Sequence, residues 1–213
     1  MNQTEGRRAR VGVLVSGRGS NLQALLDASA AGTLPAEVAL VVCNHAGVQA
    51  LERAAQANVP VCLVDRAEVR SRRERQGRML EALAEAQVDW VVLAGFDEIL
   101  VPEMTARYAW RMVNTHPSLL PAFGGSMHAV EQALEFGVKV SGCTVHLVTD
   151  ELDAGPILMQ GSVEVLEGDT AETLGERIRA REHVVLVEAV RALAEGRVQV
   201  KDGRATVIAS KLS

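Results

Sequence analysis

Cysteine is scarce: three occur in 213 residues, and Cys43, Cys62 and Cys143 have no paired spacing. No disulfide framework is expected, and buried, reduced thiols suit a cytoplasmic protein. Long hydrophobic runs are missing as well. No apolar stretch reaches 18 residues, and the polar, basic opening over residues 1–10 has no apolar stretch behind it long enough for a signal sequence. Neither a membrane span nor export is expected. A positive surplus is also lacking: 22 lysines and arginines stand against 27 aspartates and glutamates, a net charge of −5. That balance argues against nonspecific nucleic-acid binding, and the local basic run Arg66, Arg70, Arg72, Arg73, Arg75 and Arg78 reads as a helix surface. Repeats, linkers and low-complexity segments are absent too. With 48% hydrophobic and 23% charged residues, the chain has enough material for one well-buried core and too little for a second large domain. A single domain over residues 1–213 is expected.

What is present is a regular alternation of strand and helix patterns. Residues 10–16 form a short apolar run with β-branched side chains, the pattern of a strand buried on both faces. Similar runs recur at residues 37–43, 60–64, 90–94 and 111–115. Between them lie helical patterns: one begun by Leu22, Leu25 and Leu26, then residues 48–57, 71–86 and a short one at 101–108 opened by Pro102. Such alternation predicts an α/β fold with a doubly wound, mostly parallel, Rossmann-like sheet. Beyond it, residues 128–136 have helical spacing, residues 140–148 alternate as a longer strand, and residues 157–166 form its hairpin partner. A long helix over residues 170–195 is expected to be N-capped by Asp169 and ended by Gly196. A terminal hairpin turns at Asp202-Gly203. The chain thus divides into a phosphate- or nucleotide-binding half, about residues 10–115, a second half, about 95–196, and an antiparallel hairpin, about 197–209.

Two stretches carry chemistry. In Ser16-Gly17-Arg18-Gly19-Ser20-Asn21, two glycines allow close backbone approach, Ser20 and Asn21 can cap, and the helix that follows turns its N-terminus toward an anion. The third glycine of a dinucleotide fingerprint is missing, since Leu22 stands there, so a monophosphate fits better than NAD. Asn114 and His116 fall at the C-terminal end of a strand, where open α/β sheets place their ligands. Residues two apart on a strand point the same way, so an amide and an imidazole converge on one small volume. Taken alone, the same pair also reads as a turn asparagine and a core histidine.

Asn114-Thr115-His116-Pro117-Ser118-Leu119-Leu120-Pro121 resembles the Asn-x-His-Pro-Ser-Leu-Leu-Pro signature of the folate-dependent formyltransferases. Ser16-Gly17-Arg18-Gly19-Ser20-Asn21-Leu22-Gln23-Ala24-Leu25 is similar to the phosphate loop of the family's purine-pathway branch. Thr149-Asp150-Glu151-Leu152-Asp153-Ala154-Gly155-Pro156 is similar to the loop bearing its catalytic aspartate. The three motifs stand in the family's order and spacing, and the similarity runs from about Val11 to Gly196.

The resemblance implies transfer of a formyl group from 10-formyltetrahydrofolate, a co-substrate, to the primary amine of glycinamide ribonucleotide, with no metal. The intermediate carries an oxyanion, which needs donors placed beforehand; Asn114 and a protonated His116 would supply them, each worth ~3 kcal/mol. Asp153 would take the amine's proton, directly or through water, and hold His116 cationic. The phosphate would sit on Gly17, Arg18, Gly19, Ser20 and Asn21. Arg179 and Glu182 are carried over to phosphate and ribose, with a solvated helix face as the rival reading. His146 stands beside the site by resemblance, or is a hydrogen-bonded strand histidine. His128 is carried over across a segment one residue longer than the usual form. The folate would meet Phe96, Ile99, Leu100, Thr149, Asp150 and Glu151, with Arg72 reaching its glutamate tail. Asp97 and Glu98 depart from the family, which commonly has an apolar residue and a cation there; beside the folate they are expected to repel tail carboxylates only slightly, because Arg72 and the neighbouring arginines can reach across to offset them, and Glu98→Arg is expected to tighten folate binding modestly. Small-molecule substrates are expected, without nucleic acid or membrane, on a monomer or homodimer. Sister reactions of the family are hydrolysis of the formyl folate, methionyl-tRNA formylation and sugar-amine formylation. The hydrolases carry an extra domain ahead of the fold and the tRNA enzymes one behind it, and neither is expected in 213 residues.

Overall fold

The computed structural model describes residues 7–209. A seven-stranded sheet forms its centre. Five strands are parallel: β1 (Ala9–Val15), β2 (Ala36–Cys43), β3 (Val61–Leu63), β4 (Trp90–Leu93) and β5 (Met112–His116). Two more, β6 (Val140–Leu147) and β7 (Ile157–Glu164), run antiparallel beyond β5, and the strand order is β3-β2-β1-β4-β5-β6-β7. A separate ribbon, β8 (Val198–Lys201) with β9 (Arg204–Val207), closes the described chain. The expected doubly wound sheet with an antiparallel C-terminal part is therefore present.

Six helices connect the strands: α1 (Ser20–Ala30), α2 (Gln49–Gln56), α3 (Arg72–Glu85), α4 (Pro102–Arg107), α5 (Ala129–Phe136) and α6 (Ala171–Ala194). Alternation along the strands splits the core into two layers. Val11, Val13 and Val15 of β1, with Val92, Val113 and Val145, pack against Leu22 and Leu25 of α1 and Leu174, Ile178 and Leu186 of α6. Leu14, Val91, Leu93 and Met112 face the other way, onto Met79 and Leu83 of α3 and Met104 of α4. Buried on both faces, β1, β2 and β4 read as continuous apolar runs, whereas Val61 and Leu63 of the edge strand β3 are exposed. Cys43 and Cys143 are buried and Cys62 is half-buried on the edge strand β3; all three are free thiols. Among the described residues, no helix is long and apolar enough to cross a membrane.

Two expected caps are corrected. The α1 N-cap is Gly19, left-handed at φ 69°, with no side-chain cap; Ser20 and Asn21 lie inside the first turn instead. The α6 N-cap is Thr170, whose hydroxyl accepts from the Thr173 amide while the Thr173 hydroxyl accepts from the Thr170 amide. Asp169 is drawn off to Arg177 and to the Leu166 amide, so the two-donor guanidinium outcompetes the helix end for that carboxylate.

Candidate active site

On β5, Asn114 and His116 share the face of Met112. The antiparallel neighbour β6 sets His146 opposite Asn114 and Thr144 opposite His116, on that same face. The loop after β6 then returns Asp153 to this spot. Two features of its backbone make the return possible. Asp153 itself is left-handed, at φ 52°, a conformation that aspartate tolerates better than most residues. Gly155 passes so close to the Leu147 carbonyl that an added Cβ would lie 1.7 Å from the oxygen, so only glycine fits.

Asp153 is the hub of what results. Its Oδ2 lies 3.2 Å from His116 Nδ1 and accepts the Gly125 amide at 2.8 Å; its Oδ1 accepts from Asn114 Nδ2 at 3.3 Å and lies 3.5 Å from His146 Nε2. Side-chain exposure is only 7% for Asp153 and 6% for His116. Burial by itself would raise the Asp153 carboxyl. Hydrogen bonds from His146 and the Gly125 amide, with the charges of His116 and His146, outweigh it and bring the group down to about 2.

His116 has an acceptor at each ring nitrogen: Asp153 at Nδ1 and the Phe123 carbonyl at Nε2, 3.0 Å away. A neutral imidazole has one N–H and can donate to only one of the two. His146 Nδ1 donates to the Leu147 carbonyl at 2.9 Å, and its Nε2 lies 3.3 Å from the Asn114 amide nitrogen and faces Asp153. This fixes the Asn114 amide with its nitrogen toward Asp153 and His146. Asn114, His146 and Asp153 line the inner wall of a cleft of about 140 Å³, whose outer walls include Phe96, Ile99, Leu100 and Thr149. Asp150 and Glu151 line it too, and Asp150 accepts from the Thr105 hydroxyl at 2.6 Å. Among the described residues, no group of three or more His, Cys, Asp or Glu is arranged to hold a metal ion.

Residues 9–190 match the formyl transferase family. The chain belongs to that family. It is 49% identical over 199 residues to the phosphoribosylglycinamide formyltransferase of Mycobacterium tuberculosis, covering 93% of this chain and 91% of that one. It is also 43% identical over 196 residues to the human trifunctional purine biosynthetic protein adenosine-3, of which it spans about a fifth of the length (19%), using 92% of its own. The crystal structure of glycinamide ribonucleotide transformylase 1 from Symbiobacterium toebii superposes with a TM-score of 0.93 at 45% identity, covering 98% of this chain and 99% of that one.

A second cleft of this formyl transferase, about 330 Å³, opens at the N-terminus of α1 between Arg18, Ser20, Arg53, Arg179 and His183, with Glu176 as its acid. The glycine loop and Arg179 thus come together as expected. Glu182, one turn along α6 from Arg179, is buried at 6% exposure and accepts from Asn21 Nδ2 at 3.3 Å. Burial pushes its carboxyl up, against the Asn21 and Thr115 side chains and the charge of Arg179. The solvated-face reading of Glu182 fails on that burial. Two further residues lie apart from both clefts. His128 is exposed, 3.9 Å from Glu131 and outside both clefts, and Arg72 is exposed at the start of α3, also outside them.

Neighbouring arginines do offset Asp97 and Glu98, as expected, but they are Arg66 and Arg75 rather than Arg72. Glu98 lines the first cleft but its side chain is only 4% exposed, and Arg75 Nε donates to it at 2.9 Å, with Asn44 and Gln76 as further donors. Asp97 accepts from Asn44 at 2.7 Å and pairs with His45 at 2.9 Å and Arg66 at 3.3 Å. Burial raises both carboxyls, yet these partners hold both below the ordinary carboxylate range. Negative charge so matched does not repel a ligand as a bare acid would. The supporting donors come from the residues after β2, from Arg66 after β3 and from α3, all far away in sequence.

Proposed function

We propose that this enzyme transfers the formyl group of 10-formyltetrahydrofolate to the primary amine of glycinamide ribonucleotide, giving formylglycinamide ribonucleotide and tetrahydrofolate in purine synthesis. The observation that carries this reading is the placement of His116 between the buried Asp153 carboxylate and the Phe123 carbonyl, beside Asn114. A cationic cleft over the α1 N-terminus supports an acceptor that bears phosphate. The names and close similarity of the relatives from Mycobacterium tuberculosis and Symbiobacterium toebii point to the same amine.

The chemistry follows from charge. Attack of the amine on the formyl carbon puts negative charge on oxygen, and the cationic His116 together with the Asn114 amide stabilises it. In the resting arrangement the Phe123 carbonyl takes the Nε2 hydrogen of His116. The formyl oxygen replaces that carbonyl, and so meets a donor whose charge Asp153 already balances. Asp153, at about 2, is a weak base for direct proton removal at neutral pH. Its main work is to balance the charge of His116 and to orient the water that carries the amine's proton to the folate nitrogen, whose bond to the formyl carbon breaks as the intermediate collapses. The folate occupies the cleft lined by Phe96, Ile99, Leu100, Thr149, Asp150 and Glu151, and the phosphate lies on the amides of the Gly17 to Asn21 loop.

Product analysis with 10-formyltetrahydrofolate, in the presence and absence of glycinamide ribonucleotide, tests the reading. Formylated ribonucleotide accompanied by tetrahydrofolate is expected, with little folate turnover when the amine is left out. Equal turnover with and without the amine would make water the acceptor and the chain a hydrolase.

A further inference from the structure

An N-terminal helix site binds an anion only if the loop before it turns its carbonyls away, because each inward C=O cancels the pull of an N–H. In this chain α2 does the turning. The Gly17 carbonyl accepts from the Ala50 amide at 3.2 Å, and the Arg18 carbonyl accepts from Arg53 Nε at 2.8 Å. Gly19, between them and the helix, lies so close to α2 that an added Cβ would stand 2.8 Å from the Ala50 Cβ. The loop is thus seated on one face of α2, with Arg53 as the side chain that grips it.

Arg53 is placed to do more than grip. Its Nη1 donates to Gln23 Oε1 at 2.8 Å, which ties the guanidinium to the first turn of α1. Among the described residues Nη2 has no protein partner, and the side chain lines the cationic cleft with Arg18 and Arg179. Nε and Nη1 hold the plane of the guanidinium fixed, so the remaining N–H groups are presented without the rotamer cost of an exposed arginine. Across the cleft, the His183 Nε2 is buried without a partner, and burial together with Arg179 and Arg53 pulls that imidazole below its ordinary value. A neutral ring there leaves the cleft's positive charge to the arginines.

Resting on the glycinamide ribonucleotide reading, we propose that Arg53 is a positioning residue for the phosphate loop, and a direct ligand of the substrate phosphate through Nη2. Lysine cannot replace it, since one ammonium does not span the Arg18 carbonyl, Gln23 and the phosphate together.

The experiment compares wild type with Arg53→Met and Arg53→Lys in two assays: steady-state kinetics, and the rise in Tm produced by inorganic phosphate. Arg53→Met should raise the KM for the ribonucleotide about ten- to a hundredfold, the range for a lost hydrogen bond to a charged group, and abolish most of the phosphate-induced rise in Tm. The KM for the folate should stay within about twofold. Arg53→Lys should recover less than half of the lost affinity. Equal rises in both KM values with a fall in Tm, or full recovery by lysine, would overturn the proposal and leave Arg53 a packing residue. Should wild type fail to formylate the ribonucleotide, the reading of function fails, while the phosphate-induced Tm rise still decides the role of Arg53.

Discussion

Asp153 joins a histidine on β5, a histidine on β6 and a loop amide, and its ionisation should be felt in stability as well as turnover. Its carboxyl falls from 3.8 to about 2 on folding. A depressed carboxylate stabilises the fold above its unfolded value and loses that contribution as pH falls through the folded one. The window is therefore between 3.8 and about 2, and the amount is about 2 kcal/mol. Urea unfolding of wild type across that window should show a loss that Asp153→Asn does not share. Parallel curves for the two proteins would mean that the carboxylate gains nothing from its partners. The sequence displayed this site better than any other part of the molecule, because i and i+2 residues on a strand share a face whatever the rest of the chain does. What it could not display was the Phe123 carbonyl on His116, since backbone groups of a loop have no side-chain signature.

Among the elements, the loop between β4 and α4 shows how far local reading reaches. Its Asp97 and Glu98 are legible as acids near a cleft, but their charge is answered by Asn44 and His45 after β2 and by Arg75 and Gln76 on α3. Gln76 also donates to the Ile99 carbonyl at 3.0 Å and accepts the Val101 amide at 2.8 Å, so α3 fixes the backbone of the cleft wall. Glu98→Arg, attractive on sequence alone as a way to tighten folate binding, should instead destabilise the fold by ~3–5 kcal/mol, because it sets a second guanidinium against the buried Arg75. Glu98→Gln should cost less, and thermal unfolding of both variants ranks them. If Glu98→Arg melted with wild type, the buried pairing would be refuted. At the glycine loop, Gly19→Ala meets both a left-handed backbone and a Cβ contact of 2.8 Å with Ala50. A loss of ~1–3 kcal/mol, with a raised KM for the ribonucleotide, is expected from the strain. A Gly19→Ala protein with wild-type Tm and KM would show that the loop does not rest on α2 in solution.

At the scale of the whole molecule, β1, β2 and β4 were legible because burial writes them as apolar runs, while the exposed edge strand β3 and the polar end of β5 were placed by their alternation with helices. The caps were less so. Asp169 and Thr170 are both good cap residues, and the choice between them fell to Arg177, seven residues further on from Thr170, within a helix the pattern alone could delimit but not orient. The fold brings the C-terminal end of β5 and the N-terminus of α1 to the sites on which the account depends, and the central claim is that charge held on His116 by Asp153 carries the transfer. The direct measurement is kcat/KM for formyl transfer to glycinamide ribonucleotide in wild type, His116→Ala and Asp153→Asn, with Tm recorded for each. The account predicts a drop on the order of a hundredfold or more in both variants, with the KM for each substrate little changed. Variants that stayed folded and kept their turnover within a few fold of wild type would contradict it.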